Sequence, residues 1–166
     1  MDQTSASTYR FTSADHDHGH CIATALDGAG ELCQRRGARL TALRRQVLEM
    51  VWRSHEPQGA YTILETLNRQ GRRAAPPTVY RALDFLLGHG LIHRIESLNA
   101  FVGCPTPSQP HTGHFLICDG CGGAAEVNDH RIGDALHASA NDIGFKIERE
   151  TIELRGLCPG CQDLAA

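Results

Sequence analysis

The 166 residues are 41% apolar and 21% charged, enough for one ordinary domain or two small ones, and no apolar run reaches the length of a membrane span. The start, MDQTSASTYRFTSADHDHGH, is polar and acidic, which excludes a secretory signal and predicts a cytoplasmic protein whose seven cysteines are thiols and ligands, not disulfides. Net charge is only −3, but residues 33–94 hold 11 Arg against 4 acids while residues 95–166 hold 4 basic residues against 10 acids, so a basic middle points to phosphate and an acidic end to cations.

Residues 1–20 lack apolar periodicity and read as a disordered tail, in which His16, His18 and His20 either bind metal loosely or stay solvated. From Cys21 to about Arg36 a helix is expected, with Ile22, Leu26 and Leu32 near one face. RLTALRRQVLEMVWR, residues 39–53, is a stronger helix signal, capped by Thr41 and striped by Leu43, Val47, Met50 and Val51. HEPQGA reads as a turn, and YTILETLNR, residues 61–69, as a third helix with Ile63, Leu64 and Leu67 inward. PPTVYRALDFLLGHG gives a fourth, since prolines suit a helix start and glycines its end. LIHRIE and AFVG, either side of SLN, alternate like a two-stranded wing. Together these elements predict a winged helix-turn-helix over residues 21–104.

PTPSQPHT, residues 105–112, is the expected hinge. Residues 113–166 predict a small α/β unit: strands at HFLICDGC and GAAEVND, a helix over RIGDALHASANDIG, and a long alternating strand at FKIERETIELRG. The fold class is therefore α+β. Cys118 and Cys121 in CDGC, and Cys158 and Cys161 in CPGC, present two CxxC turns separated by 36 residues. Each turn aims two sulfurs at one point, and Zn²⁺ takes four ligands in a tetrahedron, so the pair predicts a closed structural zinc cage. A thioredoxin-type motif has no reason to occur twice. A zinc deaminase needs Pro before its CxxC and an upstream His-x-Glu, and here Leu157 precedes Cys158 and no His-x-Glu occurs. A four-sulfur cage also leaves no open position for catalysis, so no enzyme is expected.

RLTALRRQVL, PPTVYRALDFL and the two CxxC turns resemble the ferric uptake regulator superfamily of dimeric bacterial metal sensors, over roughly residues 21–164. PPTVYRALDFLLGHGLIHRIES followed by FVGC is most similar to its zinc uptake branch. Ala42 departs from the family pattern, which usually has Pro after the Thr. The resemblance implies a zinc-responsive repressor of zinc uptake genes, a homodimer joined through residues 113–166, and a pseudo-palindromic double-stranded DNA operator. It implies no membrane and no small-molecule substrate. It places a regulatory zinc on His93, Cys104, His111 and Glu126, beside the structural one, with His114 a rival to His111. One thiolate, two imidazoles and a carboxylate suit tetrahedral zinc. An iron- or peroxide-responsive member is the alternative, weakened because HTGH stands in place of HHxH and Glu150 in place of a later His. Thr78, Tyr80 and Arg81 are the expected DNA readers, with Arg44, Arg45, Arg72 and Arg73 as phosphate contacts.

Overall fold

The computed structural model describes Phe11, residues 17–109, His111 and residues 113–165. Two compact units emerge, one over Thr12–Pro110 and one over His111–Ala166 with Phe11. In the first, α1 (His18–Arg35) starts where the Asp17 carboxylate accepts the His20 N–H at 3.1 Å. The helix therefore begins three residues before the boundary read from the sequence, and it takes in His18 and His20. Its Leu26, Ala29, Leu32 and Cys33 are buried. In α2 (Ala42–Trp52), the Thr41 hydroxyl accepts the Arg44 N–H, so a side-chain cap fixes the start without proline. Val47, Leu48, Met50 and Val51 face the core.

The turn expected at HEPQGA holds a short strand, β1 (Gln58–Gly59), leading into α3 (Ala60–Arg69). Two residues carry no readable alternation, and β1 exists only because β3 offers partners at Phe101 and Ala100. Pro76 and Pro77 open α4 (Pro76–Gly88), where missing N–H groups leave fewer donors to satisfy. The wing is β2 (Ile92–Ile95) and β3 (Ala100–Gly103), paired antiparallel, with Asn99 taking the left-handed conformation (φ 47°) in the turn between them. The sheet order is β1-β3-β2, and α2, α3 and α4 pack beside it as a winged helix.

In the second unit, β4 (His114–Cys118) lies between β5 (Ala124–Val127), antiparallel, and β6 (Ile152–Gly156), parallel. α5 (His130–Asp142) precedes β6, with Asp129 capping it through the Arg131 N–H. The long strand expected from Phe145 is confined to Ile152–Gly156. Its ladder partner β4 begins at His114, opposite Ile152, so earlier residues have no strand to pair with. A short helix, α6 (Pro159–Ala165), follows the second CxxC turn and was not expected. No residue of α5 is buried, and the unit's buried apolar set is small, centred on Phe115, Ile117 and Ala125. No helix among the described residues is long and apolar enough to cross a membrane.

Leu83 is fully buried among α2, α3 and α4. Leu83→Ala should destabilise the winged-helix unit by about 2–5 kcal/mol, seen as a lower urea midpoint at unchanged slope with zinc held constant.

Candidate metal centres and nucleic-acid interface

The parallel register pairs Cys118 with Gly156, so the turn after β4 and the turn after β6 leave the sheet side by side. The sulfurs of Cys118, Cys121, Cys158 and Cys161 consequently lie within 4.8 Å of one another. Backbone groups tie the two turns together. Cys158 N–H donates to Cys118 Sγ at 3.2 Å, and Asp119 N–H donates to the Gly156 carbonyl at 2.8 Å. The Arg155 guanidinium also clasps Asp119 through Nε at 2.8 Å. Gly120 is required here, because a Cβ would stand 2.8 Å from Cys161 Sγ. A Gly inside CxxC was the sequence signal for this, and it had not been used.

The thiols titrate as a crowd. The Cys158 N–H, then the Cys121 N–H, pull Cys118 down to about 6. Contact with the Cys158 thiol, then with Cys118, pushes Cys161 up to about 12. Cys121 is drawn down by the Gly123 N–H, but contact with Cys118 and burial leave it raised. Successive thiolates at this spacing repel, and a divalent cation relieves the repulsion. Four sulfurs, no carboxylate and closed geometry fit Zn²⁺.

Each unit also carries further donors. In the wing, His93 faces Val102 and the Cys104 N–H donates to the Leu91 carbonyl at 3.1 Å. His93 and Cys104 are thus diagonal neighbours on one face of the hairpin. In the other unit, His111 Nε2 meets Glu126 Oε1 at 2.8 Å. His114 goes elsewhere: its Nε2 meets Glu150 Oε1 at 2.6 Å, and His137 Nε2 meets Glu150 Oε2 at 3.3 Å. The ladder explains this, since Glu126 pairs with Phe115 and so lies on the face opposite His114. Glu150 had been noted in the sequence only for not being His, and His137 had not been noted at all.

Thr78, Tyr80 and Arg81 are exposed in the first turns of α4, while Val79, Ala82 and Leu83 turn inward. Arg81 makes no hydrogen bond or ion pair among the described residues. Arg44 and Arg45, expected as phosphate contacts, also have partners within the chain. The Arg44 guanidinium lies 3.6 Å from the Phe85 ring centroid and donates to the Arg39 carbonyl at 2.6 Å. Arg45 pairs with Asp27 at 3.6 Å. Arg72 and Arg73 remain exposed. Tyr61, which the sequence reading had not singled out as a DNA reader, is 69% exposed at the start of α3. Of the tail histidines, His18 bonds the Arg53 carbonyl at 2.6 Å, His18 and His20 join no metal-binding cluster among the described residues, and His16 lies outside them. Cys33 is core, its thiol pushed up by burial, and Cys21 lines a cavity.

A winged helix and a cysteine-caged α/β unit on one chain define a metal-binding protein with a helix-turn-helix. Comparison with known proteins agrees. The ferric uptake regulator family profile matches residues 35–155, and the chain belongs to that family. The zinc uptake regulation protein of Escherichia coli (strain K12) is 40% identical over 142 residues, covering 85% of this chain and 83% of its own. That of Mycobacterium tuberculosis (strain CDC 1551 / Oshkosh) is 28% identical over 76% of this chain and 96% of its own. A solved zinc uptake regulator complexed with zinc and DNA superposes with a TM-score of 0.81 at 38% identity, over 87% of this chain and 97% of that one. The holo form of XcZur gives 0.77 at 40% identity, over 84% and 98%.

Gly120→Ala should open the cage by forcing Cys161 aside. The variant should surrender its tightly held zinc to a chelator that leaves the parent's in place, and lose part of its melting temperature with it, because cage binding energy is folding energy. Equal zinc retention in both proteins would show that the turn tolerates the methyl group.

Proposed function

We propose that this protein is a cytoplasmic, zinc-responsive, sequence-specific DNA-binding repressor of zinc uptake and homeostasis genes, with zinc as co-repressor and no catalytic activity. Each chain holds one structural zinc on Cys118, Cys121, Cys158 and Cys161 and one regulatory zinc on His93, Cys104, His111 and Glu126. The observation that carries this reading is the donor chemistry, a thiol and an imidazole on one face of the wing and a paired imidazole and carboxylate in the other unit. Such a mixed set suits tetrahedral zinc and disfavours harder ions. The zinc uptake regulators at 40% identity support it further.

Each group has a physical task. The cage fixes the second unit. The regulatory ligands come from both units, so filling them orders one arrangement of the chain out of several. By linkage, zinc and operator then strengthen each other's binding. Arg81 grips guanine O6 and N7, Tyr80 meets a thymine methyl or a phosphate, and Thr78 contacts the backbone or a base edge. Exposed Leu136, Ile143, Phe145, Leu154 and Leu157 in the second unit support a homodimer, which would set two recognition helices on a pseudo-palindromic site.

An iron- or peroxide-responsive member is the second reading. It draws on His114 and His137 converging on Glu150, an oxygen and nitrogen set with no sulfur. Operator titrations with zinc, iron and manganese buffered separately distinguish the two, and zinc alone should restore binding at low free concentration.

Cys104→Ala should be folded, still hold its cage zinc, and bind operator without response to added zinc. A normal zinc dependence in that variant would move the regulatory site elsewhere. Arg81→Ala should lose about 1–3 kcal/mol of discrimination while binding random DNA nearly as before. Equal losses on specific and random DNA would make Arg81 a phosphate contact only.

A further inference from the structure

Trp52 is the chain's one tryptophan and the last residue of α2. Its indole rests on the backbone of Gly103. A Cβ at Gly103 would stand 2.2 Å from Cε2, 2.4 Å from Nε1 and 2.6 Å from Cδ2 of the ring, so no L side chain fits while the ring stays. Gly103 ends β3 and directly precedes Cys104.

That placement matters because glycine is the residue with most freedom to lose on ordering. A ligand that follows a glycine is poorly held unless something removes that freedom. Pairing and packing around Gly103 do so here. Cys104 itself is buried, and it lines a cavity of about 460 Å³ together with His20, Cys21, Leu48, Leu91 and Trp52. The ladder pairing of Gly103 with Ile92, the Cys104 N–H bond to the Leu91 carbonyl and the indole pressed on Gly103 all act on this segment. α2 also packs on both β3 and α4, which gives the indole a rigid mount.

We infer that Trp52 is a positioning residue for the regulatory zinc: its indole clamps Gly103 and so presents the Cys104 thiolate ready to bind metal. The inference rests on the reading of Cys104 as a ligand. Trp52 touches no metal in this account. It acts by lowering the ordering cost that zinc binding would otherwise meet, as groups that hold ligands in place commonly do. Gly103 and Trp52 form a reciprocal pair, one supplying the gap that the other fills. Enlarging Gly103 should therefore do the same harm as shrinking Trp52.

Four variants of the full-length protein test this: Trp52→Ala, Trp52→Phe, Gly103→Ala and Cys104→Ala. For each, the affinity of the exchangeable zinc is measured by competition with a zinc-binding dye while the cage zinc stays bound. Operator affinity is then measured at saturating zinc. Trp52→Ala and Gly103→Ala should bind the exchangeable zinc about tenfold or more weakly, with the cage zinc retained. Trp52→Phe, which keeps a smaller aromatic plate, should recover part of the loss. At saturating zinc the Trp52 and Gly103 variants should bind operator close to the parent protein, because the loss lies in presenting the ligand and not in the DNA-facing surface. A failure to recover there would mean general damage to the winged helix and overturn the inference. Parental zinc affinity in Trp52→Ala and Gly103→Ala, with affinity lost in Cys104→Ala, would overturn the inference and leave the reading of Cys104 intact. Parental zinc affinity in Cys104→Ala would overturn that reading and the inference with it. Gly103→Ala keeps the tryptophan and decides the matter if Trp52→Ala fails to fold.

Discussion

Four sulfurs gathered at one end of a three-stranded sheet set the terms for the second half of this protein. Their meeting is a consequence of register. β6 runs parallel to β4 with Gly156 opposite Cys118, so both CxxC turns leave the sheet at the same level. The unit has few buried apolar side chains beyond Phe115, Ile117 and Ala125, and α5 buries none. A core this slight depends on added cross-links, and a caged cation is one of the strongest available. The thiols themselves press the same way. Cys118 is held near 6 by N–H donors while Cys161 is pushed to about 12, so the set accepts a first negative charge readily and resists the next without a counter-ion.

Once that sheet is fixed, alternation along its strands sorts the remaining donors. Glu126 sits opposite Phe115 and reaches His111, while His114 lies on the other face and reaches Glu150. Two histidines only three residues apart thus serve different carboxylates. Gly113 between them makes room chiefly for the Phe115 ring, since a Cβ there would stand 2.8 Å from its Cε2 and Cζ and 3.3 Å from Glu126 Oε1. The wing obeys the same rule, with His93 and Cys104 sharing a face of the β2–β3 hairpin. The division of labour proposed above therefore has a structural logic. The cage is built from one unit alone. The proposed regulatory set draws on both and can report on their arrangement.

Much of this was legible in the sequence, and the reasons are local. Paired CxxC turns announce a cage because each turn fixes its own geometry. Thr41 and the Pro76–Pro77 pair mark helix starts because unsatisfied N–H groups must be dealt with there. Features set by distant partners were harder to see. β1 is two residues long and depends on β3 for its ladder. The strand expected from Phe145 stops short of that residue because β4 starts at His114, and alternation alone carries no information about where a partner ends. The stacking of Arg44 on Phe85, 41 positions away, was likewise not legible in the sequence. Trp52 and Gly103 lie 51 positions apart in sequence, and neither residue alone hints that the other needs it.

The central claim is that occupancy of a second, exchangeable zinc governs operator binding while the cage zinc does not change. It is tested most directly by measuring zinc content and operator affinity on the same samples across a series of buffered free-zinc concentrations. The account predicts protein holding one zinc per chain at the low end, with weak operator binding, and affinity rising in step with uptake of the second zinc. Full operator binding by the one-zinc protein would contradict it.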